Sequence, residues 1–155
     1  MDGSAAVIGE MMLPILEPLN GAAVSPARQL GLAFQLTNFL RDVGEDLDRG
    51  RVYVPVADLE RFGADPWARR VTPAWRELMR FEIARNRTLY EAAGEGLAML
   101  PAWSARAIGT AGILYARILD QIEANGYDVF SRRARVSTSR KLAVAARGAL
   151  QGSRR

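Results

Sequence analysis

A bundle of α-helices without a β-sheet is the fold this sequence predicts. Apolar residues recur at intervals of three and four through several long stretches, and no stretch alternates apolar with polar residues as a strand would. Proline and glycine gather between those stretches, where helices should stop.

The elements follow in order. A first segment, about residues 4–16, is rich in small and apolar residues such as Ala5, Val7, Ile8 and Met11, and should stop between Pro14 and Pro18. Asn20 and Gly21 read as a turn. A second helix opens with Ser25 as N-cap and Pro26 at the first helical position, runs unbroken to about Leu47 and is stopped by Gly50. Residues 52–55 read as a short extended piece, and 56–62 as a short helix ended by Gly63. A loop with Pro66 and Pro73 leads into a third segment, about residues 74–100, where Trp75, Leu78, Ile83 and Leu89 are spaced among many Arg and Glu. The fourth, about residues 102–125, carries Ile108, Leu114, Ile118 and Ile122, and Gly126 ends it. A short basic helix is expected over about residues 139–150, and Trp67, Trp75 and Trp103 read as packing residues. Residues 1–150 are thus read as part of one helical domain, and residues 151–155 as a flexible basic tail.

Composition narrows the chemistry. The 155 residues include no cysteine and no histidine, which removes thiolate ligands, the commonest general base and the commonest transition-metal ligand. Carboxylates, arginine, amides and hydroxyls remain, a donor set that suits hard, oxygen-ligated cations such as Mg²⁺. The net charge of +4 comes from arginine, since Lys141 is the only lysine, and no acidic residue follows Asp128. Such a basic end fits a phosphorylated substrate, an anionic membrane surface or nucleic acid, or is simply solvated. No stretch reads as a membrane span or a cleavable leader, so a cytoplasmic protein is expected, with peripheral membrane contact left open.

The second helix holds the informative pattern. At about 100° per residue, Gln35, Asn38, Asp42 and Asp46 fall within an arc of roughly 80°, beside an apolar arc that includes Leu36, Phe39 and Val43. Two aspartates four apart on one face repel each other, and a divalent cation between them turns that cost into a binding site. Asn38 and Gln35 extend the face and can position the ion or its waters. The simpler alternative pairs Asp46 with Arg49 and leaves Asp42 in solvent.

The wider context carries a resemblance. From Ala33 to Pro55 the chain reads AFQLTNFLRDVGEDLDRGRVYVP, similar to the second aspartate-rich signature of the squalene/phytoene synthases. The run GSAAVIG at residues 3–9 resembles that family's small-residue cavity helix. LDQIEANGYDVF at residues 119–130, continuing through Val136, Ser137, Lys141 and Leu142, resembles its C-terminal signature.

The resemblance implies the C-terminal part of the isoprenoid synthase helical fold around a central prenyl cavity. It implies Mg²⁺ (or Mn²⁺) held by Asp42 and Asp46 with Asn38 against a prenyl diphosphate, with Gln35, Arg49, Arg51 and Tyr53 on the substrate's polar end. Ala5, Val7, Gly9, Leu36, Phe39 and Tyr115 would line the hydrocarbon, and one of Arg132 and Arg133 would contact diphosphate. The implied reaction is head-to-head condensation of two geranylgeranyl diphosphates to phytoene through a cyclopropyl diphosphate, as in carotenoid synthesis. A squalene or hydroxysqualene synthase-like enzyme using farnesyl diphosphate, or a non-catalytic helical partner, are the alternatives. No dinucleotide fingerprint accompanies the motifs, and no nucleic-acid partner is expected. The family's first aspartate-rich helix has no counterpart among Asp2, Glu10 and Glu17. The chain is therefore expected to need an N-terminal half, or a second copy, for activity.

Overall fold

The computed structural model describes residues 1–132 and 134, and among them every regular element is helical. A π-helical turn, Asp2–Ala6, leads into α1 (Val7–Met11) and α2 (Leu13–Leu16). A 3₁₀ turn, Gly21–Ala23, feeds α3 (Val24–Arg41), followed by α4 (Val43–Asp48) and α5 (Val56–Phe62). After a 3₁₀ turn at Pro66–Ala68 come α6 (Pro73–Glu95), a further 3₁₀ turn (Gly96–Met99) and α7 (Ala102–Ala124). The expected helix over residues 139–150 and the tail at 151–155 lie outside the described residues. No described helix is long and apolar enough to cross a membrane.

The central element is α3, which packs against α1 on one side and against α6 and α7 on the other. Its crossing with α1 is close because both helices present glycine. A Cβ on Gly9 would lie 2.0 Å from the Ala27 carbonyl oxygen, and one on Gly31 would lie 2.2 Å from that of Ala5. On the far side, Leu36, Leu40, Val43 and Leu47 join Leu78, Ile83, Leu119 and Ile122 in the main core. Trp75 is buried there, its indole N–H donating to the Tyr127 carbonyl at 3.1 Å. Trp67 and Trp103, expected as packing residues, are about half exposed, because one sits in an exposed 3₁₀ turn and the other in the first turn of α7.

Two boundaries differ from the sequence reading. Asn20, not Ser25, supplies the capping side chain: its Oδ1 accepts from the Ala22 N–H at 3.0 Å, so the helical path opens a turn earlier. Pro26 falls in the first turn of α3, where the missing N–H costs no hydrogen bond. The long second helix also breaks at Asp42, whose φ of −101° and ψ of 11° leave the helical region, although its N–H still donates to Asn38 and its carbonyl still accepts from Asp46. The expected stops at Gly50, Gly63 and Gly126 all coincide with positive φ.

One buried cluster pins α5 to α6. Glu82 is fully buried, and the Arg85 guanidinium donates to Asp58 at 2.9 Å and to Glu82 at 3.3 Å. Burial, reinforced by the neighbouring Asp58, lifts the Glu82 carboxyl from its ordinary 4.5 to about 7. Asp58 is held low by the bonds it accepts from Arg85 and from protonated Glu82, which outweigh its own burial.

Two predictions follow from this packing. The folded state keeps a proton on Glu82 that the unfolded chain releases near 4.5. Its contribution is therefore complete below that pH and lost as pH rises to about 7. Glu82→Gln should flatten the pH dependence of unfolding in that window, where the parent chain should lose on the order of 1–3 kcal/mol in urea titrations. A Cβ on Gly44 would lie 2.8 Å from the Val129 carbonyl oxygen and 2.9 Å from that of Phe130. Gly44→Ala should consequently cost about 1–3 kcal/mol by the same measurement, although alanine is the better helix former.

Candidate active site

The polar face of α3 and α4 assembles as a site because the helix breaks within it. On an unbroken helix, neighbours in sequence point about 100° apart and do not meet. The turn at Asp42 brings its carboxylate onto the Arg41 fork: Nε donates to Oδ1 at 2.7 Å and Nη2 to Oδ2 at 2.6 Å. Both side chains are mostly enclosed, at 17% and 19% exposure. The paired Asp42 and the nearby Tyr115 raise the Arg41 pKa against the effect of burial, so the guanidinium is firmly charged.

Asp46 stands one turn further on with 14% of its side chain exposed. Desolvation, and then the charge of Asp42, push its carboxyl above the ordinary range, with Arg49 and Arg51 opposing. Arg49 reaches only to 4.0 Å and is 63% exposed, so it offsets little of that cost. The backbone supports this corner more firmly, since the Asp46 carbonyl accepts from the N–H groups of Arg49 and Arg51. One turn before Asp42, the Asn38 Oδ1 is buried and has no hydrogen-bond donor among the described residues. An amide oxygen removed from water without a donor is suited to a cation or to a water that a cation carries.

These residues fit Mg²⁺ as a partial ligand set. Asp42, Asp46 and Asn38 offer only hard oxygen donors, and Asp46 is destabilised until positive charge arrives. Among the described residues no three carboxylates converge into a self-contained cluster. That pattern fits an ion completed by water and substrate phosphate. Gln35 lies half-buried on α3 one turn before Asn38. Tyr53 stacks on Phe39 with ring centroids 4.3 Å apart, which places the exposed flap tyrosine over the helix.

An apolar cavity of about 220 Å³ runs along the other end of α3, walled by Ile8, Gly9, Met12, Ala27, Leu30, Gly31, Phe34, Leu97 and Ile108 among others. A second, of about 190 Å³, shares Leu30, Ala93, Leu97 and Ile108 with it and extends between α6 and α7. Of the residues expected to line hydrocarbon, Gly9 is in the cavity wall. Ala5 is buried where Gly31 crosses it, Val7 is half-buried, Leu36 belongs to the main core, and Phe39 faces Tyr53. The displacement has a geometric cause: Leu36 and Phe39 lie past the cavity's last residue on α3, Phe34, and turn to the other side of the helix. Tyr115 joins the two ends of the site, its ring 4.5 Å from Phe34 and its hydroxyl beside Arg41. Arg132 is exposed near Asp128, and Arg133 lies outside the described residues.

Sequence reasoning missed Arg41, because an ideal helix carries it off the aspartate face. It also missed Thr37, whose buried hydroxyl bonds Tyr90 and accepts from Asn86, both at 2.8 Å. Gly44 was the available signal, since a glycine there marks a close backbone approach that a straight helix would not need.

Known proteins are similar to this chain in sequence and in fold. The squalene/phytoene synthase family model matches residues 1–140. The phytoene synthase of Arthrospira platensis is 52% identical over 116 residues, which are 73% of this chain and 38% of that protein. Phytoene synthase 3 of Zea mays, chloroplastic, is 46% identical over 147 residues, covering 89% and 34%. Among solved structures, a dehydrosqualene synthase in complex with ligand superposes with a TM-score of 0.86 at 30% identity, covering 96% of this chain and 54% of that one. The squalene synthase HpnC from Alicyclobacillus acidocaldarius gives a TM-score of 0.76 at 32% identity, covering 81% and 49%. The chain thus spans little more than a third of the curated relatives named here.

The electrostatics of Asp46 yield a test. Its raised carboxyl pKa means that folding at neutral pH opposes its charge, and that this cost disappears as pH falls and the group protonates. Asp46→Asn should therefore raise the melting temperature of the metal-free chain by about 2–4 °C. Millimolar Mg²⁺ with pyrophosphate should stabilise the parent chain in the same scan and leave the variant nearly unmoved.

Proposed function

The chain belongs to the squalene/phytoene synthase family, and from that membership we propose that it forms the second metal-binding half of a phytoene synthase. One observation carries the reading. A face of Asp42, Asp46 and an undonated Asn38 oxygen lies on the same helical path as an apolar cavity, joined to it through Phe34 and Tyr115. From Ala27 to Asp42 that path spans roughly 22 Å. It suits a long hydrocarbon with diphosphate at one end, and geranylgeranyl diphosphate is the substrate we assign.

In this reading Asp42, Asp46 and Asn38 hold Mg²⁺ against the diphosphate. Bound there, the ion supplies Lewis-acid withdrawal of charge from the leaving group. The charges of Arg49 and Arg51 reach Asp46, and guanidinium groups suit phosphate oxygens, which supports them as contacts for the diphosphate. The carbon–oxygen bond breaks with its electron pair leaving on diphosphate, and the apolar walls keep water from the allylic cation. The ring of Phe34 lines the cavity at its Asp42-side end and touches that of Tyr115, and their faces can stabilise that cation. The double bond of a second geranylgeranyl diphosphate then closes a cyclopropane, losing a proton. Departure of the second diphosphate, rearrangement and a second proton loss give phytoene.

The remainder of the synthase fold completes the cavity. Ile8, Met11, Ile15 and Leu19 on and after α1 and α2 are all more than half exposed, which supports an N-terminal half as the partner for this side. The 40–52% identity to phytoene synthases, against 32% to a solved squalene synthase, favours phytoene over a reductive product.

The test is product formation from geranylgeranyl diphosphate and Mg²⁺ by the chain co-expressed with the N-terminal part of a phytoene synthase. Phytoene should form, with the chain alone turning over little. Asp42→Asn and Asp46→Asn should each lower the rate by about 10²–10³. Undiminished turnover by both variants would overturn the assignment.

A further inference from the structure

We propose that Arg41 is a positioning residue that occupies Asp42 as a resident counter-cation and releases it only when diphosphate arrives, making metal binding at this helix depend on substrate. The proposal rests on the reading of Asp42 and Asp46 as the metal face.

The geometry leads there in three steps. First, the two aspartates are not equivalent. Both oxygens of Asp42 take charge-assisted bonds from one planar fork, whereas among the described residues Asp46 has a long contact with the exposed Arg49 and the more distant charge of Arg51. A bare divalent ion meeting this face finds Asp46 available and Asp42 already neutralised. To bridge the pair it must compete with a guanidinium that is itself mostly enclosed.

Second, the fork is built into the backbone. Residues 41 and 42 cannot pair on a regular helix, and the break at Asp42 is what lets them. Just past the break, Gly44 lets the backbone of residues 129 and 130 lie closely against α4. The pairing is therefore a feature of the fold and not a chance surface contact.

Third, the guanidinium has an equally good second partner in diphosphate, whose oxygens suit the same planar donor set. Tyr115 beside Arg41 touches Phe34, the last α3 residue of the cavity wall, so the guanidinium lies beyond that end of the apolar cavity, on the side where a diphosphate head would emerge. When the fork turns from carboxylate to phosphate, two charge-assisted bonds exchange for two others, and Asp42 is freed as the cation arrives with its phosphate ligands. Asp42 thereby exchanges the guanidinium for the incoming cation. The device withholds the full metal site until a substrate is present to be ionised.

The test uses Mn²⁺ as probe, followed by loss of its free paramagnetic signal, with and without inorganic pyrophosphate and corrected for Mn²⁺ held by pyrophosphate alone. The parent chain should bind Mn²⁺ weakly by itself and about tenfold more tightly with pyrophosphate, within the usual range for coupled sites. Arg41→Gln should bind Mn²⁺ alone several-fold more tightly than the parent, and the gain from pyrophosphate should shrink by the same order. Arg41→Lys keeps the charge but loses the fork, and should shift in the same direction by less. It decides the matter if the Gln variant fails to fold. Mn²⁺ affinity unchanged or weakened in a folded Arg41 variant would overturn the proposal. If Asp42→Asn still abolishes the pyrophosphate-dependent binding in that case, the metal face stands and only the Arg41 role falls. If neither Asp42→Asn nor Asp46→Asn affects Mn²⁺ binding, the metal assignment falls, and the Arg41 role with it.

Discussion

Two like charges held on one face of a helix are the constraint around which this molecule is arranged. Burial raises the cost of charge on Asp46, and the charge of Asp42 raises it further. The fold accommodates Asp42 by bending the helix until Arg41 can grip it, and leaves Asp46 partly uncompensated. The bend redirects α4 so that the segment after α7 can lie across Gly44, closing the core around Val129 and Trp75. Helix geometry, core closure and site electrostatics are thus settled by the same few residues.

Along α3 the polarity divides by length. Its N-terminal part is wall for an apolar cavity, its middle is core, and its C-terminal end carries the charge. Phe34, Tyr115 and Arg41 bridge these regimes, passing from ring to hydroxyl to guanidinium. That order is what the proposed substrate, with one greasy and one anionic end, would require.

The helices and their stops were legible because they rest on local rules. Periodic apolar residues, glycines at positive φ and prolines in first turns act within a few residues of themselves. The aspartate face was legible for the same reason, since i and i+4 neighbours need only an approximate helix. What could not be read were consequences of long-range contact. The break at Asp42 stands beside a close approach to Gly44 by backbone some 85 residues later. The fork from Arg41 follows from that break. The division between core and cavity also escaped, because Leu36 and Phe39 are as apolar as Leu30 and Phe34. Only the packing of α6 and α7 decides which of them meets empty space. The Glu82 cluster was hidden likewise, since nothing in an amphipathic pattern marks one glutamate among many as the buried one.

The paired glycines at the crossing of α1 and α3 set a limit on how this cavity can diverge. Gly9 and Gly31 each press a neighbour's main chain, and both border the hollow. Its width on that side is consequently a helix spacing, not a sum of side-chain volumes. Stepwise enlargement of either glycine does not narrow the hollow by small increments, because the first methyl group already forces the helices apart. Drift toward longer or shorter occupants is therefore steered to the opposite wall, where Leu97 and Ile108 are side chains and can be traded one methylene at a time.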